Sequence, residues 1–234
     1  MKIKTILTVY FISVFLFICP PLIYSQDIKP IKLLAPRLKG GKSLMQALKG
    51  RKSSREFSSK ELPLQVISNL LWAANGINRL DSGYKTAPSV VNIKEIDIYL
   101  AKADGLYLFD AKQNMLIPVV GEDIRVLTGK QQFVKDAPIN LIYVVDLSKI
   151  GKTLREADYY TNTDTGFISE KVYLYCAAAA GVGFISENVY LYCASAGLAT
   201  VVRGLINRSV LAKAMKLRPD QIIIFAQTVG YFKN

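Results

Sequence analysis

The segment Gly166-Phe-Ile-Ser-Glu-Lys-Val-Tyr-Leu-Tyr-Cys-Ala-Ala-Ala returns 17 residues later, from Gly183, with two changes: Lys171 becomes Asn188 and Ala178 becomes Ser195. Two copies do not make a solenoid, in which each unit buries its face on its neighbours and at least three are needed. Both copies read as helix. At ~100° per residue, a displacement of 17 positions turns the second copy about 100° away from the face of the first, so one helix cannot set both against the same core. The second copy runs directly into residues 197–204, and residues 184–196 are therefore expected to be the core helix. The first copy, residues 167–179, is then an added helix or excursion, parted from the second by a break at Gly181-Val182-Gly183, where each glycine weakens a helix by ~1 kcal/mol. Deleting residues 166–182 is then expected to preserve or raise thermal stability. The competing reading keeps the first copy in the core or at an interface, because Phe167, Ile168, Val172, Tyr173 and Leu174 are costly to leave in water at ~25 cal/mol per Å². A membrane span is too short here, since Glu187 divides two uncharged stretches that each fall below the ~20 residues a bilayer needs.

The rest of the chain reads as one mixed domain. With 234 residues, 51% of them hydrophobic, it can bury one substantial core. Residues 43–49 have a helical rhythm with Leu44, Ala47 and Leu48 on one side and Gly50 as the stop. Residues 63–75 form the clearest amphipathic helix, with Pro63 suited to its first turn, Val66, Ile67, Leu70, Leu71 and Ala74 on one face, Trp72 as core packing and Gly76 beyond the end. Residues 93–100 alternate as a strand, 106–109 and 115–120 form a hairpin, and 139–145 and 222–229 are further strands. Short helices are expected at 122–127 and 210–215. Antiparallel pairs with helices packed on them make an α+β fold with an antiparallel central sheet.

Composition removes whole classes of chemistry. The chain has no histidine and three cysteines, so Ser-His-Asp and Cys-His nucleophiles, His-ligated zinc and a disulfide framework are all excluded. An enzyme of this composition is expected to import its reactivity in a bound cofactor, and no metal site is expected. Thirty Lys and Arg against 18 Asp and Glu give a net charge of +12, which favours an anionic ligand or surface. The cations are spread along the chain with no nucleic-acid motif, so no nucleic-acid partner is expected. Residues 1–25 read as a signal peptide: Lys2 and Lys4, an apolar run to Ile18, Pro20 and Pro21, then Ser25 before the mature start at Gln26 or Asp27. A lipoprotein anchored through Cys19 is the lesser reading, because bulky Ile18 precedes it, and a retained anchor is the other. Residues 26–42 are expected to be a flexible lead-in to a domain at 43–234, and the protein to be exported, periplasmic or secreted.

Three cations and two hydroxyls stand together at Arg51-Lys52-Ser53-Ser54-Arg55, a set suited to a phosphate because guanidinium and ammonium donors form charge-assisted hydrogen bonds. A solvated charged turn is the bland reading of the same residues. This run with Phe57, then residues 70–79 (LLWAANGINR), 86–92 (TAPSVVN), 188–204 (NVYLYCASAGLATVVRG) and the closing Val229-Gly230-Tyr231, resembles in order and spacing the nitroreductase family of flavin enzymes, above all its small exported bacterial members. The resemblance implies a homodimer with FMN in clefts at the subunit interface. It places Arg51, Lys52, Ser53 and Arg55 on the FMN phosphate, ribityl chain and pyrimidine edge, and Pro88, Ser89 and Asn92 in the loop that reaches the partner's flavin. Val202, Arg203 and Gly204 would lie beside the reactive N5 edge, with no catalytic side chain as such. The implied chemistry is ping-pong transfer of a hydride from NADH or NADPH through FMN to an electron-poor small molecule. An exported protein meets little nicotinamide, which opens the donor's place to another reductant. The sequence departs from the family in its duplication, in Lys94 where glutamine is usual, in Phe232 where proline often follows, and in its short tail, where Lys233 is the one terminal cation left for the phosphate. These departures keep open a second reading, an exported flavin-binding or interaction protein without turnover.

Overall fold

The computed structural model describes residues 28–89, 93–150 and 164–233, and for 164–177 the backbone alone. The expected signal peptide, Cys19 and Asn92 lie outside the described residues. Seven strands form one antiparallel sheet in the order β1-β6-β5-β4-β7-β9-β8, where β1 is Ile31–Lys32, β4 Ile96–Lys102, β5 Gly105–Asp110, β6 Met115–Val120, β7 Ile139–Asp146, β8 Ala199–Arg203 and β9 Gln221–Gly230. A small separate hairpin joins β2, Ile77–Arg79, to β3, Tyr84–Lys85. Strand β7 lies between β4 and β9 and is buried throughout, as its largely apolar run leads one to expect when both faces are covered.

The two sheet faces bury different helices. Ile139, Leu141, Tyr143 and Val145 join Ile98 and Leu100 of β4 in a core with α2, Leu64–Asn75, and α4, Asp164–Ala196. Ile142 and Val144 face the other way, toward Leu211 of α5, Arg208–Ala214, and Met215 just beyond it. In α2, Ile67, Leu70, Leu71 and Ala74 form the buried stripe, and Leu70 and Leu71, fully buried, contribute about 1.5–3 kcal/mol each. Pro63 is the N-cap of this helix, and Trp72 is only half-buried, its indole N–H donating to the Ile77 carbonyl at 3.1 Å.

Several boundaries differ from the sequence reading. Strand β4 starts at Ile96, after Lys94 at φ +60°, a left-handed conformation that interrupts extended pairing. The expected helix at 122–127 is a 3-10 turn at Arg125–Thr128, ahead of the short helix α3, Phe133–Asp136. Helix α1, Leu44–Gly50, is set by a capping box between Ser43 and Gln46, yet it buries only Ala47 and leaves Leu44 and Leu48 exposed. Residues 28–42, expected to be flexible, are tied down: Ile31 pairs with Leu116, Leu33 is buried, and the Leu34 and Arg37 amides donate to Ser68 Oγ and Asn69 Oδ1.

The expected break at Gly181-Val182-Gly183 is absent, and α4 runs unbroken through both copies. The cause lies just past each copy. The second copy ends at Gly197 with φ +71°, where the Leu198 amide turns back to the Cys193 carbonyl, a glycine stop. The equivalent place after the first copy holds Ala180, the best helix former. Ala178 of the first copy, Val182 between the copies, and Ile185, Val189 and Cys193 of the second make the buried stripe, so the second copy lies against the core and the stripe reaches back into the end of the first. Gly181 packs closely on β4: a Cβ there would lie 2.7 Å from Ile96 Cδ1 and 3.4 Å from Glu95 Oε1, so a larger residue makes the buried Ile96 side chain shift.

Candidate functional site

The cations after α1 meet the end of α4 and strand β8. The Ser54 amide donates to the Thr200 carbonyl at 2.9 Å, and Phe57 bridges Phe232, which fixes the basic run alongside β8 and the chain end. A cavity of about 190 Å³ opens there, lined by Lys42, Lys52, Tyr190, Cys193, Thr200 and Phe232 among others. Arg51, Lys52 and Arg55 are exposed, and none of the ion pairs among the described residues uses them or Lys42. Two of these charges lie over aromatic faces: the Arg51 guanidinium is 5.3 Å from the Tyr190 ring centre, and Lys52 Nζ 5.4 Å from that of Phe232. Lys233, next to Phe232 in sequence, is exposed.

Beneath the cavity runs a buried polar chain. The Tyr143 hydroxyl donates to Gln227 Oε1, and Gln227 Nε2 donates to Thr200 Oγ1 at 3.1 Å and to the Ser186 carbonyl. The Thr200 hydroxyl donates to the Thr228 carbonyl at 2.8 Å. These bonds satisfy groups that would be costly to bury alone. Burial pushes the Cys193 thiol well above its ordinary pKa, so it lines the cavity as an unreactive apolar wall.

Of the residues expected at the flavin edge, Val202 is engaged, its amide donating to the Tyr190 hydroxyl at 3.0 Å. Gly204 leaves its Cβ position 3.4 Å from the Phe225 ring. The Arg203 side chain turns inward, to the Thr128 carbonyl at 2.7 Å, Asn140 Oδ1 at 2.8 Å and Thr228 Oγ1 at 3.1 Å. Desolvation lowers its pKa to about 10, and the group remains a cation at neutral pH. Pro88 and Ser89 stand elsewhere in the chain, at a small recess with Asn75, Lys85, Lys94 and Ile185, where Ser89 Oγ accepts from the Lys94 amide at 3.2 Å. Within one chain, then, the basic cluster and the Pro88 loop line different cavities.

The sequence reading missed Lys42, Tyr190 and Thr200 as wall residues. No signal marked Tyr190, since Tyr173 has the same neighbours on both sides.

A model of the nitroreductase family matches residues 48–231. The chain belongs to the nitroreductase family. A provisionally named nitroreductase of Methanocaldococcus jannaschii is 27% identical over 135 residues, covering 53% of this chain and 68% of that protein. The crystal structure of a provisionally named nitroreductase from Ralstonia eutropha superposes with a TM-score of 0.76 at 38% identity, covering 88% of this chain and 91% of that one. An NADPH:FMN oxidoreductase from Vibrio harveyi, solved with NAD+, shares the fold at a TM-score of 0.54 and 14% identity, over 82% of this chain and 69% of that one. The α+β architecture with a large antiparallel sheet is thus a nitroreductase fold.

Proposed function

We propose that this nitroreductase-family protein is an FMN-dependent oxidoreductase acting as a homodimer, with NADH, NADPH or another two-electron donor reducing it and an electron-poor small molecule oxidising it in ping-pong order. The observation that carries the reading is the set of cations at Lys42, Arg51 and Lys52, without carboxylate partners among the described residues, beside the hydroxyl of Ser53 and an open cavity with an aromatic wall. That donor set fits a phosphate monoester, and the cavity beside it, at about 190 Å³ in one chain, falls short of the ~300–1,000 Å³ of a cofactor pocket, which suits a cleft completed by a second subunit. FMN supplies the two-electron chemistry when bound, so the absence of histidine and the unreactive Cys193 are no obstacle.

The remaining tasks fall to the chain's own residues. Arg51, Lys52 and Lys233 bind the phosphate, Ser53 donates to the polyol, and Arg55 stabilises negative charge gathering at the pyrimidine edge. Val202 and Gly204 present backbone to the opposite edge of the ring. The separation of Pro88 and Ser89 from the basic cluster supports a site completed by a neighbouring subunit. So does the exposure of four large apolar side chains close together in sequence, Leu38, Leu44, Met45 and Leu48, since exposed apolar surface of this kind marks association sites.

Titrating the purified chain with FMN, and separately with riboflavin, tests the assignment. Saturable binding of FMN at one per chain, with riboflavin at least tenfold weaker, is expected from charge-assisted bonds of about 1.5–3 kcal/mol each. Equal affinity for the two would remove the phosphate from the basic cluster.

A further inference from the structure

Three separately placed parts of the candidate site meet at one side chain. Tyr190 is 6% exposed. Its ring lies against the Arg51 guanidinium at 5.3 Å, its hydroxyl is 2.9 Å from Ser53 Oγ, and the same oxygen accepts the Val202 amide at 3.0 Å. A phenol can donate once and still accept, so one oxygen ties Ser53 to Val202 of strand β8, beside the backbone bond from the Ser54 amide to the Thr200 carbonyl.

We propose that Tyr190 is the positioning residue of the flavin site, setting the distance between the phosphate-binding run at Arg51 and Ser53 and the ring-edge segment at Val202 before a ligand arrives. The inference rests on the FMN reading above. It needs a rigid carrier, because a site held in advance spares the ordering cost of binding. Helix α4 is that carrier, with Val189 and Cys193 on either side of Tyr190 fully buried. Its register is chosen by positions outside or differing within the repeat. Seating the first copy in the same place would put Asp164 at Gly181, Thr165 at Val182, Ala178 at Ser195 and Ala180 at Gly197. The first brings a carboxylate toward Glu95 and a Cβ into Ile96, and the second buries a hydroxyl where Val182 is fully enclosed. The third removes the Ser195 hydroxyl that accepts the Lys42 amide at 2.8 Å, and the last forces a side chain to φ +71°. All four favour Tyr190 over Tyr173.

The duplication supplies its own control. Tyr190→Phe keeps the ring beside Arg51 and removes the hydroxyl, and Tyr173→Phe makes the same change in the same local sequence. Three quantities are measured on the full mature chain: FMN affinity by titration, the position of the bound flavin's visible absorption, and hydrogen exchange at the Val202 amide without FMN. In Y190F, FMN binds about three- to tenfold more weakly, the flavin absorption shifts and Val202 exchanges faster. In Y173F all three stay at wild-type values. FMN binding in Y190F that is unchanged or tighter overturns the proposal, a tighter site making the hydroxyl a competitor for the amide. An equal effect in Y173F overturns it too, by assigning the loss to helix stability. A wild-type chain that takes up no FMN contradicts the functional reading itself, whereas normal uptake by both wild type and Y190F contradicts this inference alone.

Discussion

Arg203 keeps its charge inside the protein on three oxygens, those of the Thr128 carbonyl, the Asn140 amide and the Thr228 hydroxyl, with no carboxylate among them. The arrangement leaves no room at Gly129, whose Cβ would fall 2.0 Å from Arg203 Nη1 and 2.8 Å from Gln131 Oε1. Alanine there displaces a buried cation from its acceptors, and such overpacking costs about 1–3 kcal/mol before the charge is counted. Urea unfolding of Gly129→Ala should therefore show a loss of at least ~2 kcal/mol, and a midpoint equal to wild type would refute the close approach. Arg51 is the opposite case, exposed and assigned to ligand. Arg51→Ala should weaken FMN binding at least tenfold, by the ~1.5–3 kcal/mol of a bond to a charged group, with thermal stability little changed. Unchanged affinity would move the phosphate elsewhere.

Helix α4 shows what elements add beyond residues. Deleting residues 166–182 and deleting residues 161–177 both remove 17 positions and leave the second copy intact. The first deletion brings Asp164 to the place of Gly181 and Thr165 to that of Val182; the second retains Ala178, Gly181 and Val182. The 161–177 deletion should hold its melting temperature, while the 166–182 deletion, preferred on sequence alone, should melt several degrees lower because each degree-scale shift follows from kcal-scale losses. Equal melting temperatures would mean that Gly181 is not needed for contact with β4. At the end of β7, Asp146 accepts from Ser148 and from Arg218 at 2.9 Å. Burial acts to raise its pKa, but the bonds from Ser148 and Arg218 outweigh it and hold the carboxyl below its ordinary value. A lowered folded-state pKa stabilises the protein above the unfolded value and is lost as pH falls through the folded one. Asp146→Asn should thus be less stable than wild type at pH 7, with the gap closing below about pH 4; a gap that stays constant from pH 7 to pH 3 would exclude the carboxylate as its source. The hairpin β5–β6, helix α2 and strands β7 and β9 were legible because their apolar periods match their burial. Strand β8 was not, since five residues at the sheet edge carry little pattern, and α4 was misjudged at its middle because Ala180, rather than the glycines that follow, decides whether the helix continues. The basic run of the site could be read from composition, but the walls at Lys42, Tyr190 and Thr200 come together only in the fold.

One chain presents a cation-lined cavity in one place and the Pro88 loop in another, with Leu38, Leu44, Met45 and Leu48 exposed nearby in sequence to the cations. If the second subunit supplies the loop, the protein should sediment as a dimer burying more than ~2,000 Å², the scale of an obligate interface. Leu44→Lys with Met45→Lys should then yield monomers that lose FMN, and a monomeric wild type with tight FMN would contradict the shared site. Turnover of this nitroreductase-family chain through bound FMN is tested most directly by the visible spectrum of the FMN-reconstituted protein without air, before and after NADH or NADPH, then after a nitroaromatic or quinone acceptor. An FMN enzyme gives a yellow protein that bleaches with the donor, or with a non-nicotinamide two-electron reductant, and recovers its colour with the acceptor. A yellow protein that neither bleaches with a donor nor, once reduced chemically, recovers with any acceptor would contradict the enzyme, and a chain that stays colourless would contradict the flavin site as well.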